Sequence, residues 1–253
     1  MTTREALRRS GMAIRERLGF PSNSPETELA PGLDRLAEEF VWGSIWARPG
    51  LALDDRMLTV LSALTSQQRL PQLRRYIGAA LHIGVPPRAI QEVFIQCGLY
   101  SGFPTILNAL ALANDVFAEQ GVAVPDTAMP DMDAEALMAL GRETMLGLHG
   151  DRAHQGYAAP DNTTTAAMYP TAIAYGYGEI WNRPDLSHRQ RMICAVAAFT
   201  AIDHLSQLVK FAQSALNTGL TREQIVEIIM QTGPYSGFPR ALNALAAFGD
   251  ARG

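Results

Sequence analysis

Tyr100-Ser101-Gly102-Phe103-Pro104 and Tyr235-Ser236-Gly237-Phe238-Pro239 are the same five residues written twice. Each copy closes a run with apolar residues at helical spacing. Each also leads into a second such run, Leu107-Asn108-Ala109-Leu110-Ala111 or Leu242-Asn243-Ala244-Leu245-Ala246. Gly102 and Gly237 let the backbone turn, and Pro104 and Pro239 suit a helix's first turn, where a missing N–H costs nothing. Tyr100 and Tyr235 therefore project from a helix end into whatever the turn encloses.

The repeat extends far beyond five residues. Gly178-Glu179-Ile180-Trp181-Asn182-Arg183-Pro184-Asp185-Leu186 answers Gly43 to Leu51 at a spacing of 135, and the register holds to the end of the chain. About 30 of roughly 75 aligned positions are identical, well beyond chance for two helical segments. Further upstream, Glu135-Ala136-Leu137 and Gly141 answer Glu5-Ala6-Leu7 and Gly11 at a spacing of 130. The five-residue difference falls in an early loop, where insertions are tolerated.

Between these landmarks the chain reads as helix throughout. A helix is expected over residues 3–18, a loop over Gly19 to Gly32 and a helix through Phe40 to Trp46. Asp54 and Asp55 open another. One spans Leu70 to His82, closed by Gly84, and one runs from Arg88 to Gln96 after Pro86-Pro87. Ser187-x-x-Gln190 and Thr221-x-x-Gln224 are capping boxes. The organisation is a first repeat over 1–121, a proline-bearing linker over 122–131 and a second repeat over 132–253. The fold class is all-α, a gene-fused pair with a pseudo-twofold relation.

Composition sets the limits on function. The 253 residues, 47% hydrophobic and 18% charged, describe a packed globular protein. A net charge of −4 gives no footprint for nucleic acid, and no apolar run suits a bilayer or a leader. Cys97 and Cys194 form neither a Cys-x-x-Cys pair nor a disulfide framework, which fits a cytoplasmic protein with two buried thiols. No metal-ligand spacing, phosphate-cradling loop or nucleophile elbow is present, so neither metal nor cofactor is expected.

Trp42-Gly43-x-x-Trp46-x-Arg48-Pro49-Gly50-Leu51, the later Arg56, Gly84 or Gly219, the pairs Ile90/Glu92 and Ile225/Glu227, and the Tyr-x-Gly-Phe-Pro-x-x-x-Asn-Ala runs together resemble the carboxymuconolactone decarboxylase family. That family shares its all-α fold with the alkyl hydroperoxidase D proteins. The resemblance implies a helical bundle assembled in rings, here a homotrimer of two-repeat subunits, acting on a small-molecule carboxylate. In the peroxidase branch a Cys-x-x-Cys pair and a histidine occupy the places held here by Arg69, Gln72 and Tyr76, and again by His204, Gln207 and Phe211. With no thiol there, disulfide chemistry at that site is excluded. The decarboxylase branch keeps the histidine and a glutamate one turn earlier. Both copies carry an aromatic and a glutamine instead.

Arg69, Gln72 and Tyr76 share one helix face, and a guanidinium, an amide and a phenol could orient a carboxylate. The same pattern also suits a polar helix–helix contact. His204 is the side chain best placed in pKa to trade protons near neutrality, or else a hydrogen-bonded histidine near a helix start that Asp203 caps. Trp46, Tyr100, Trp181 and Tyr235, with Gln207 and Phe211, could line a pocket between copies or simply pack. Arg48, Arg56, Arg183 and Arg191 are expected to bond helix-end carbonyls or an acid such as Glu92 or Glu227. His149 and the remaining histidines read as loop or helix-end residues. The leading expectation is a cofactor-free, decarboxylase-like lyase acting on a small cyclic or lactone carboxylate. A non-catalytic binding protein and a thiol-independent, peroxidase-like oxidoreductase are the alternatives. An open polar pocket beside Tyr76 or Phe211 would favour an enzyme, and a filled core would not.

Overall fold

A computed structural model describes residues 3–21, 29–159 and 161–251. Part of the expected early loop, residues 22–28, lies outside the described residues. The described residues form twelve α-helices, six to each copy, and no strand.

In the first copy α1 spans Arg4–Arg17. Helix α2 spans Leu33–Leu36 and runs on as the π-helical turns Ala37–Trp46. Then follow α3 (Leu53–Ser66), α4 (Leu70–His82), α5 (Pro87–Ser101) and α6 (Phe103–Glu119). The second copy repeats them as α7 (Ala134–His149), α8 (Tyr169–Thr171, running on through the π-helical turns Ala172–Glu179), α9 (His188–Ala201), α10 (Leu205–Ala215), α11 (Arg222–Ser236) and α12 (Phe238–Asp250). Both capping boxes form, at Ser187/Gln190 and Thr221/Gln224. Helix α5 is longer than its sequence pattern suggests, because Tyr100 stays helical up to the Gly102 turn at φ +97°. Asp203 does not cap α10. It sits in the left-handed region at φ +63°, and His204 takes the cap position without a side-chain cap bond.

The centre of the molecule is α3 packed on α9. Both are buried nearly end to end, with Met57, Val60 and Leu61 facing a core that includes Met192, Ile193 and Val196. A helix apolar on every side belongs where neighbours surround it. Helix α5 of the first copy also lies against α9, and α11 of the second lies against α3. The turn-bearing helix of each copy therefore serves the other copy.

Two buried ion clusters lock this exchange. Glu227 accepts from Arg48 Nη2 at 2.7 Å and from Arg56 Nη2 at 2.9 Å. Glu92 accepts from Arg183 Nη2 at 3.0 Å and from Arg191 Nη2 at 3.0 Å. Arg56 and Arg191 also donate to the carbonyls of Arg48 and Arg183. Both expected kinds of partner are thus used at once, and each acid comes from the opposite copy.

The π-helical stretches are held against the first helix of each copy by glycines. A Cβ on Gly178 would lie 2.2 Å from the Leu137 carbonyl oxygen, and one on Gly43 would lie 2.2 Å from that of Leu7. Gly178→Ala must therefore push α7 and α8 apart. The expected loss is about 1–3 kcal/mol of unfolding free energy, measurable by urea denaturation.

Candidate active site

The positions equivalent under the repeat do not look alike. In the first copy Tyr76 is buried among Phe20 (ring centroids 5.2 Å), Trp46 (6.1 Å) and Tyr235 (5.4 Å). Its hydroxyl meets Tyr235 Oη at 2.6 Å, and Trp46 Nε1 donates to the same oxygen at 2.7 Å. Burial raises the pKa of both phenols, so they stay protonated. Side chains fill this place. Gln72, one turn back along α4, and Arg69, just before its first residue, are exposed.

In the second copy Phe211 replaces Tyr76 and has no hydroxyl with which to tie the incoming tyrosine. Tyr100 turns instead to Gln96, accepting from Nε2 at 2.8 Å, and its ring lies 4.4 Å from that of Phe199. The counterpart amide nitrogen, Gln231 Nε2, has no partner. Beside Phe211 a cavity of about 470 Å³ opens, with Tyr100, Tyr177, Trp181, Phe199 and Gln207 in its wall. That volume is within the range of small-molecule sites. Of the sequence candidates, Tyr100, Trp181, Gln207 and Phe211 meet here. Trp46, Tyr76 and Tyr235 meet in the closed first copy. His204 is exposed at the start of α10 and lines neither this cavity nor the smaller one beside it.

The structure also introduces His149, the last residue of α7. Its ring contacts Tyr177 (5.5 Å) and Phe211 (5.1 Å), much as Phe20 contacts Trp42 and Tyr76 (5.2 Å each). The second copy has thus exchanged a phenylalanine and a tryptophan for a histidine and a tyrosine. Nε2 of His149 lies 2.9 Å from Tyr177 Oη, and Nδ1 lies 2.6 Å from Ser214 Oγ. Burial, aided by the nearby Arg152 charge, lowers the imidazole pKa to about 4, so the ring is neutral at physiological pH. Burial likewise raises that of the Tyr177 phenol.

This chain of groups can carry a proton either way. Ser214 Oγ is also 3.1 Å from the Lys210 carbonyl oxygen. With the serine hydroxyl turned to that carbonyl, Nδ1 carries the ring proton and Nε2 accepts from Tyr177. With it turned to His149, Nε2 holds the proton and donates to the phenol oxygen, which frees the phenol's own hydrogen for the cavity. One hydroxyl rotation reverses the donor.

The segment behind the five-residue difference is what builds the outer wall. Residues 150–158 form two short 3-10 turns, Gly150–His154 and Gly156–Ala158, which bring Arg152, Gln155 and Tyr157 over α10. Tyr157 Oη accepts a long bond of 3.4 Å from Gln207 Nε2. The signal in the sequence was the paired change at 149 and 177 together with the altered spacing upstream of it. The change at 149 is hidden because Phe20 lies one residue out of the 130-residue register.

The sequence pattern of the Carboxymuconolactone decarboxylase family matches residues 31–115 and again residues 166–250. The chain belongs to the carboxymuconolactone decarboxylase family. It is 34% identical over 84 residues to a 4-carboxymuconolactone decarboxylase of Acinetobacter baylyi, a match covering 33% of this chain and 63% of that one. It is 31% identical over 80 residues to a nitrosuccinic acid decarboxylase of Metarhizium robertsii, covering 32% of this chain and 55% of the relative. The chain thus spans a little over half the length of these two relatives. A crystal structure from Burkholderia xenovorans, provisionally assigned as a gamma-carboxymuconolactone decarboxylase subunit, superimposes with a TM-score of 0.58 at 20% identity over 99% of both chains. It shares the fold of this tandem family member. Among the described residues no helix is long and apolar enough to cross a membrane, and no three His, Cys, Asp or Glu side chains cluster as a metal site would need.

Proposed function

We propose that the protein is a cofactor-free lyase which decarboxylates a small cyclic or lactone carboxylate in the cavity of the second copy. The observation that carries this reading is an open, ligand-sized cavity with Tyr177 in its wall, backed by His149 and Ser214 through hydrogen bonds. Decarboxylation breaks the bond to the carboxylate, releases CO2 and leaves an electron pair on carbon. Tyr177 then supplies the proton to that carbon, His149 returns one to the phenol oxygen from Nε2 as Nδ1 takes the Ser214 hydroxyl proton, and one proton from water resets the chain before the next turnover. No charged side chain lines the larger cavity, so a carboxylate placed there is stripped of water without gaining a counter-ion. Losing it as neutral CO2 relieves that desolvation. Tyr100, Trp181, Gln207 and Phe211 shape the space around the ring. The filled first copy serves the fold and supplies Tyr100.

Decarboxylating relatives support the reaction class, and the exposed faces Phe103/Leu107 and Phe238/Leu242 suit the ring-shaped trimer proposed with it. The test is CO2 release from 4-carboxymuconolactone and related lactone acids by the parent protein and by His204→Ala and Arg69→Ala. Turnover retained in both variants is expected. Loss in His204→Ala would move the chemistry back to α10, and an inert parent would reject the substrate class.

The closed copy gives a matching expectation. Tyr235→Phe should leave turnover unchanged while lowering stability by about 1 kcal/mol, the worth of a buried hydrogen bond, as read by thermal melting.

A further inference from the structure

A second chamber of about 210 Å³ adjoins the aromatic one and shares Tyr157, Tyr177 and Phe211 with it. Its cationic wall residues are Arg152 and Lys210, and His149 also lines it. Arg152 is half-buried and held by three neutral acceptors: the Lys210 carbonyl at 3.1 Å, Gln213 Oε1 at 2.5 Å and Ser214 Oγ at 2.8 Å. Lys210 Nζ stands 5.1 Å over the Tyr157 ring. Among the described residues neither cation has a carboxylate partner. Arg48, Arg56, Arg183, Arg189 and Arg191 each have one.

The contrast has physical content. A guanidinium fixed by neutral oxygens keeps its charge uncompensated and its orientation set, so little ordering is left to be done when an anion arrives. In a chain of net charge −4, two unpaired cations facing one small chamber make a local positive site. That chamber shares Tyr157, Tyr169, Tyr177, Gln207 and Phe211 with the aromatic cavity, whose lining carries no charged side chain.

We infer that Arg152 and Lys210 form an anchoring subsite for a carboxylate that the reaction leaves untouched. The ligand is then an acid whose charged end sits in the small chamber and whose ring or other apolar body fills the aromatic one. The term "untouched" rests on the lyase reading above; the subsite itself does not. Under that reading a substrate carries two anionic groups, one anchored and one lost, and the product keeps the anchor and competes with substrate.

The test separates the two ideas by using a probe that cannot react. Phenylacetate has a carboxylate beside a ring, and phenylacetamide is its neutral isostere. Titration followed by calorimetry and by Trp181 fluorescence is expected to show phenylacetate bound by the parent protein. Arg152→Met should weaken it roughly 10- to 100-fold, as loss of a charge-assisted pair does, and Lys210→Met by about 3- to 10-fold. Arg152→Lys should recover part of the loss. Phenylacetamide should bind parent and variants alike. An equal loss for acid and amide in Arg152→Met would make the arginine a brace for its loop and overturn the subsite. So would no phenylacetate binding by the parent, or binding that Arg152→Met does not change. Absence of decarboxylation with phenylacetate binding intact would remove the lyase reading and leave the subsite standing.

Discussion

His149→Gln is expected to reduce turnover by about two to four orders of magnitude while the protein stays folded, the range for losing a positioned acid–base group. Glutamine can still reach Tyr177 and Ser214 but cannot take up and release a proton. Tyr177→Phe, which removes the group nearest the cavity, should cost a comparable factor and leave phenylacetate binding in place. The pH profile gives an independent check. With the imidazole pKa near 4, His149 does not change charge between neutrality and about pH 4, so kcat should show no break at the ordinary imidazole value across that window. A limb near the ordinary imidazole value of about 6.5 would point to a different histidine.

The same shift makes a stability prediction. Because the folded pKa lies below the unfolded value, the unfolded chain binds more protons between about pH 4 and 6.5. Stability from this group is fully present above about 6.5 and is lost as pH falls towards 4. Allowing for the solvent that reaches the ring, the change is on the order of 2 kcal/mol. Urea midpoints measured across that window should therefore converge for the parent and His149→Gln at the acid end.

Glu92→Ala is expected to be the most destabilising single change, at about 3–5 kcal/mol. The carboxylate is 0% exposed and is the acceptor for both Arg183 and Arg191, the latter also 0% exposed. Removing it leaves a buried guanidinium without a counter-charge at the contact between copies. A fall of roughly 10 °C in Tm would accompany the loss in a chain of this size. The double variant Glu92→Leu/Arg191→Met should recover much of the stability, since two apolar groups carry no desolvation penalty. By contrast, removing Arg9, which pairs with Glu5 on the surface of α1, should leave the midpoint where it is. Glu92 also lies on α5, the helix that carries Tyr100 into the second site. A shifted α5 in Glu92→Ala should therefore weaken phenylacetate binding as well.

The Tyr-Ser-Gly-Phe-Pro turn and its helical flanks depend on residues close in sequence, and their order along the chain fixed the all-α tandem fold. Glycine conformation, proline at a first turn and apolar periodicity act over a few residues and can be read directly. The arginine and glutamate partners were legible too, because buried charge demands opposite charge. Tertiary structure alone decided that Tyr235 closes the first site while Tyr100 enters the second, since α5 and α11 each cross to the other copy's central helix. It also decided that one missing hydroxyl, at Phe211, leaves the second site open. His149 meets Tyr177 and Ser214 only because α7, α8 and α10 converge there, so its role depends on packing between distant segments and not on any local pattern.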